Sequence, residues 1–211
     1  MWLMNANSTQ IAGWKTAADW QVTRSTLVVG GDSGAWQKAF KDYFEERLRL
    51  RYLNPIGILK KHGTLQGEGF SILATQCSLI EFLESTVQGL TYRHLRRGET
   101  LGAFEYNDSG TLFKHFLCKR HPFASQFTEP LATDFYLSIR CGLLHEARTK
   151  NGWKVWAEGP PAKILDGAKR VVYRNNFQVA LDEFIAWYDK ALLSETELQD
   201  AFIRKFDSLC Q

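Results

Sequence analysis

Within the stretch IRCGLLHEA at 139–147, Arg140 and His145 stand five positions apart in an otherwise apolar helical pattern. Leu or Ala at either place would be easier to bury, so the two polar side chains invite a chemical reading. Cleavage of RNA without a metal needs a base for the ribose 2′-OH, an acid for the leaving 5′-oxygen and a cation for the charge on the phosphorane. Histidine, with an ordinary pKa of about 6.5, can take either proton role. Arginine supplies a permanent forked cation suited to phosphate oxygens. One chain covers two of the three needs, and a two-fold dimer would bring a second histidine. On an ideal helix five residues separate side chains by about 140° and 7.5 Å, so the pair converges only across the lip of a groove. Gly142 between them is expected to admit a partner helix closely.

Other groups stand around this pair. Arg148, Lys150 and Lys154 follow directly and are candidates for holding an RNA backbone. Glu81 and Glu84, three apart on an early helix, and Glu146 beside His145 are candidate supporting carboxylates. A centrally placed helix has little exposed surface, so one of the two early carboxylates is expected to face the Arg140 helix.

The elements that must position these residues are mostly helical. The segment 70–90 is the most apolar in the chain, with Phe70, Leu73, Ala74, Cys77, Ile80 and Val87 at helical spacing, and belongs at the centre of a bundle. Trp36, Ala39, Phe40, Tyr43, Phe44 and Leu48 mark a helix capped by Asp32 or Ser33 and stopped at Pro55. Further helices are expected over 111–121, 131–148, 177–193 and 194–209, the last opened by a capping box in Ser194-Glu195-Thr196-Glu197. A Gly-rich hinge, HGTLQGEG, covers 62–69. Residues 153–156 and 170–173, separated by Gly159-Pro160-Pro161, suit a short β-hairpin or loop pair laid on the bundle. Residues 1–34 read as an N-terminal extension with one or two strands, one of them over 25–29. The expected architecture is mainly α, a small extension at 1–34 followed by a helical domain at 35–211.

Composition narrows the function classes. The 211 residues are 45% apolar, 23% charged and 13% aromatic, an ordinary globular mixture that leaves no room for a long disordered tract. A net charge of +3 does not by itself announce a nucleic-acid binder, yet the charge is uneven. Residues 140–174 hold eight basic side chains against three acids, and 175–211 hold seven acids against three bases, which permits one positive face. Four scattered cysteines without a C-x-x-C pair suggest a reducing, cytoplasmic setting. MWLMNANSTQ lacks the pattern of a secretory signal, and no apolar run reaches the ~18 residues that span a bilayer.

Two motifs invite other chemistry and do not hold it. GGDSGAW at 30–36 has the look of a protease nucleophile loop, but no histidine precedes His62, so a turn with an N-cap is expected. His115, Cys118 and His121 fall within one helical arc, but they lack a standard zinc spacing and stand among Lys114, Lys119 and Arg120. No metal and no cofactor is expected.

The motif and its neighbours resemble the HEPN superfamily, small all-α domains whose RNase members carry R-x(4–6)-H near the end of a late helix. SILATQCSLIEFLES is similar to that family's early core helix, LSIRCGLLHEARTKNGW to its motif helix and exit loop, and 177–193 to its closing helix. The resemblance spans roughly 65–195. It implies a metal-independent endoribonuclease of toxin or phage-defence type, acting as a homodimer with a composite site and controlled by an antitoxin or regulatory protein. Arg140 would be the phosphate-stabilising cation and His145 the general base or acid. The chain departs from the family at Cys141, where active members have a polar residue directly after the arginine. Some members lack activity and serve as RNA- or protein-binding modules.

Overall fold

The structure is a computed structural model and describes residues 9–64 and 66–211. The first eight residues of the expected extension, on which part of the secretory-signal reading rests, lie outside the described residues, as does Leu65 of the Gly-rich hinge. The protein is mainly α, a helical bundle with small strands. Its helices are α1 (Ala17–Thr26), α2 (33–62), α3 (Glu68–Gln88), α4 (Ser109–Lys119), α5 (129–146), α6 (Arg174–Leu192) and α7 (Thr196–Ser208). Contacts divide the chain into two compact units. One comprises Met1–Asn54, Ser85–Asn107 and Trp187–Gln211, the other Pro55–Glu84 and Asp108–Ala186. The boundary expected at residue 34 is therefore not where the chain divides.

In the first unit the N-terminal segment is part of the core. Strands β1 (Gln10–Ala12) and β2 (Lys15–Thr16) form a small antiparallel pair, and α1 starts on a capping box between Thr16 and Asp19. Trp20 of α1 is fully buried, packs edge-on to Tyr43 at 5.0 Å and donates its indole N–H to Asp207 at 2.7 Å. The strand expected over 25–29 does not form. The capped helix runs to Thr26 and leaves Val28 and Val29 in an exposed turn, because β-propensity loses to a strong local start signal. Asp32 caps α2 through Gly34 and Ala35 at 3.1 and 3.2 Å, which accounts for GGDSGAW. Helix α2 passes Pro55 and ends only at His62. Wide π turns at Phe40–Glu45 and Arg49–Leu53 precede the proline, so the ladder is already shifted where its missing N–H falls. The capping box expected at 194–197 is absent: Glu195 is the N-cap of α7 and makes no side-chain cap bond. Strands β3 (Thr91–Tyr92) and β4 (Glu105–Tyr106) pair in parallel.

The second unit holds the motif helix. Its core is a chain of rings in which Phe135 of α5 stacks on Phe177 of α6 at 5.8 Å, and Phe116 of α4 meets Phe184 of α6 at 4.7 Å. Asp108 caps α4 through Gly110 and Thr111 at 2.9 and 3.1 Å. The hairpin expected from 153–156 and 170–173 is replaced by a three-stranded mixed sheet. Strand β5 (Lys154–Trp156) runs parallel to β7 (Val171–Tyr173), and β6 (Leu165–Asp166) supplies the antiparallel neighbour. The intervening turn at 159–161 and the strand β6 return the chain in its original direction, so two segments that sequence distance suggests are antiparallel become parallel.

The exit loop after α5 is tied back onto that helix. Asp134 accepts from Ser138 Oγ at 2.7 Å and from the indole of buried Trp153 at 3.0 Å, while Lys150 N–H donates to Ser138 O at 2.9 Å. Burial raises the Asp134 carboxyl, but the bonds from Ser138 and Trp153, with the charge of Arg170 and a bond from Asn151, together outweigh it and hold the group below its ordinary 3.8. Its contribution to stability is therefore complete above pH 3.8 and disappears as pH falls through the lower folded value. Acid titration monitored by Trp fluorescence is expected to release the exit loop in wild type below that pH, and Asp134→Asn to flatten this step. Phe135→Ala opens a hole at the centre of the ring cluster. A loss of about 3–5 kcal/mol in urea unfolding is expected.

Candidate active site

Helix α5 is not uniform. After Glu129–Phe135 it widens into a π turn at Tyr136–Arg140 and resumes as Cys141–Glu146, so Arg140 stands at the junction. Such an inserted residue re-aims the side chains that follow it. Ala147 then takes a left-handed conformation at φ 53° and ends the helix.

Arg140 is tucked in, its side chain 18% exposed, and its Nη2 lies 3.5 Å from Glu81 Oε2 on α3. Its guanidinium also sits 5.4 Å from the centre of the Tyr136 ring. Tyr136 leans on Gly110 at the start of α4, where an added Cβ would come within 3.0 Å of the ring. Ser109 donates to the other oxygen of Glu81 at 2.7 Å. Three helices thus define the position of Arg140, and the sequence expectation that an early carboxylate faces its helix holds for Glu81.

His145 occupies the last turn of α5, exposed, and its side chain has no hydrogen bond or ion pair among the described residues. The two motif residues do not meet within one chain. Arg140 is anchored and His145 projects.

Glu84 has a different task from the one expected. It is fully buried and does not reach Arg140. Arg120 grips it with two bonds of 2.9 Å, and His115 Nδ1 lies 2.7 Å from its Oε1. That engagement is what His115 does in place of metal ligation, and among the described residues no three His, Cys, Asp or Glu side chains gather to hold an ion.

Cys141 is a half-buried free cysteine beside Arg140. The Tyr136 hydroxyl is pushed above the usual phenol range chiefly by burial, against the pull of Arg140, and the nearby Cys141 adds to the rise. Gly142 also serves the chain itself rather than a partner. An added Cβ there would stand 2.5 Å from Arg148 O, so the glycine makes room for the returning exit loop.

The basic residues beyond the motif are partly committed. Glu146 pairs with Arg148 at 2.9 Å and with Lys150 at 2.5 Å, so it offsets part of the charge of those two cations. Lys154 is exposed on β5. Sequence reading missed Tyr136, Ser109, His115 and Arg120 as partners. The available signal was Glu81 and Glu84 themselves, two acids in so apolar a helix that each demanded a matching donor.

No family model matches the chain, and neither does any curated protein or solved structure. Among the described residues no helix is long and apolar enough to cross a membrane.

Replacing Glu84 by Ala would leave Arg120 beside an emptied cavity. Removal of one partner of a buried ion pair is expected to cost about 3–5 kcal/mol in urea unfolding. Glu81→Ala, at a partly exposed pair, is expected to cost under about 1 kcal/mol.

Proposed function

We propose that this chain is a HEPN-type endoribonuclease that needs no metal and works as a two-fold homodimer. Arg140 is the cation for the phosphorane, and His145 carries the proton to or from the ribose and leaving oxygens. One observation carries the reading: a single helix presents an arginine held by a half-buried carboxylate of α3 at 3.5 Å and, about one turn and a half later, an exposed histidine. A fixed cation beside a projecting proton carrier is the division of labour that transesterification of RNA requires.

The same helix supports the dimer. Leu137, before Arg140, and Leu144, next to His145, are 53% and 45% exposed, an apolar strip that a second copy of α5 would cover. The second copy brings a second His145 to the groove and so completes the acid–base pair. Arg148, Lys150 and Lys154 would line the path of the RNA backbone, with Glu146 yielding Arg148 and Lys150 to phosphate. A toxin or phage-defence role, with an antitoxin or regulatory protein as partner, goes with this reading.

A second reading has its own observation. Cys141, a half-buried free cysteine, stands where active members have a polar residue, which favours a HEPN-like module that binds RNA or protein without cutting it.

The assay incubates mixed RNA in EDTA with wild type, Arg140→Ala and His145→Ala. Wild type is expected to cleave, and each substitution to slow cleavage by about 10²-fold or more. Light scattering on the same samples is expected to give twice 24.2 kDa. RNA that stays intact at every protein concentration, or cleavage by His145→Ala at the wild-type rate, removes the catalytic reading.

A further inference from the structure

A different surface belongs to the first unit. Strands β3 and β4 are joined by a loop at 93–104, in which every residue from His94 to Phe104 except Leu95 is exposed. Two ladder bonds of 2.9 Å hold the strands together, from Thr91 N–H to Phe104 O and from Arg93 N–H to Tyr106 O. Tyr92 lies opposite Tyr106 and Thr91 opposite Glu105, so the two tyrosines and the Glu105 carboxylate take opposite faces of the ribbon.

The acids of this segment hold the loop itself. Arg93 reaches Glu105 at 3.0 Å and Glu99 at 3.6 Å. Glu105 also accepts from Gly102 N–H at 2.7 Å, and Glu99 from Arg96 N–H at 3.2 Å. Glu99 N–H donates to Arg96 O at 3.1 Å and closes a β-turn, with Gly98 at φ 87° in the third position. Arg96 and Arg97 therefore stand on the turn. Together with His94 they make no ion pair or side-chain hydrogen bond among the described residues. Both carboxylates of 91–107 are engaged, while two permanent cations are not.

Aromatic rings stand beside these cations. Tyr92 and Phe104 are each 51% exposed. Tyr92 meets Tyr106 edge-on at 5.6 Å, and Arg204 of α7 holds its guanidinium 4.2 Å from the centre of the Phe104 ring. Arg204 is fixed in turn by Gln88 O at 3.4 Å and by Gly89, where an added Cβ would come within 2.8 Å of its Nε and Nη2. Rings that the fold positions without burying can take a ligand at little further ordering cost.

We infer that this loop binds single-stranded nucleic acid, with bases stacked on Tyr92 and Phe104 and the backbone phosphates held by Arg96 and Arg97. Every unpaired base has a π face for such rings, whereas a duplex keeps its bases stacked on one another. The arginine forks suit phosphate oxygens, and the carboxylates of the loop are already turned to Arg93. A lipid surface fits the rings less well. Sinking Phe104 among acyl chains would carry the Arg204 guanidinium over it out of water. RNA and DNA share the chemistry that the loop would recognise. The inference uses neither Arg140 nor His145, and it holds whether or not the chain cuts RNA.

The test follows fluorescence anisotropy of labelled dodecamers that 2′-OH chemistry cannot cut, oligothymidylate and 2′-O-methyl-oligouridylate, on titration with full-length protein. The matching duplex is the reference, and single strands are expected to bind about tenfold or more tightly. Arg96→Glu combined with Arg97→Glu is expected to weaken both strands about tenfold or more. It also reduces the slope of log K against log salt by roughly 1.4, two phosphate contacts at about 0.7 each. Tyr92→Leu and Phe104→Leu keep an apolar side chain and lose the ring. Each is expected to weaken binding about fivefold or more with the salt slope unchanged. Tighter binding of the 2′-O-methyl strand assigns the surface to RNA and tighter binding of oligothymidylate to DNA; both support it. No binding at about 0.1 mM protein, equal binding of duplex, or wild-type affinity in the charge-swapped variant overturns it. Capture by phosphatidylserine vesicles, lost in that variant, with no oligonucleotide held, makes the surface a lipid site and overturns it too. Single strands bound through the loop alongside uncut RNA would remove the nuclease reading and leave this one standing. RNA cut in a His145-dependent way by loop variants that bind as wild type does would do the reverse.

Discussion

The Glu84 carboxylate has no exposure to solvent, and a charge in that position cannot be left alone. Its demand for partners organises one side of the second unit. Arg120, just past the end of α4, must turn back to give it two bonds, and His115 must approach from the same helix. Helix α4 is thereby locked against α3 in one rotation. Apolar contacts alone would allow neighbouring rotations at small cost, whereas a misplaced α4 would strand a buried charge. With α4 fixed, its first turn presents Ser109 to Glu81 and Gly110 to Tyr136, the two groups that hold Arg140.

Helix α5 answers to a second constraint, the return of its own exit loop. Asp134, Ser138 and Gly142 are spaced four apart, and each receives a part of the loop: the Trp153 indole, the Lys150 amide and the Arg148 backbone respectively. The π turn at Tyr136–Arg140 lies inside this span. The helix must therefore keep one face for the loop while Arg140 faces α3, and an extra residue in the turn adjusts the phase between those two faces. Fixation on both sides leaves the last turn, with Leu144 and His145, facing outward.

The helical pattern of 70–90 and the stripe of α2 were readable because apolar side chains at a 3.6-residue period need no knowledge of their partners. So was the significance of Glu81, through the cost of an acid in an apolar helix. What escaped reading depended on competition or on distant pairing. Val28 and Val29 favour a strand, and only the cap at Thr16 and Asp19 decides for helix. Pro55 is a stop signal that two wide turns override. The parallel pairing of β5 with β7 depends on how the chain between them returns, which no local period encodes. Gly142 was legible as a close approach, but the approaching group is Arg148 O, six residues on in the same chain.

Glu81 and Glu84 of α3 also separate Arg140 and Arg120 by role. Arg120 is committed through two bonds of 2.9 Å to Glu84, a carboxylate with no solvent exposure, so a phosphate would have to strand that buried charge to recruit it. Arg140 is tethered at 3.5 Å to a carboxylate that Ser109 already engages, and it forms no hydrogen bond among the described residues. Its five donors are oriented without being consumed. On the proposed function, an incoming phosphate would gain a cation already in place, and Glu81 would restrain the side chain without having to be displaced from a full bidentate contact. Permanent charge is common on this surface; what distinguishes Arg140 is a tether strong enough to aim it and weak enough to leave its donors available.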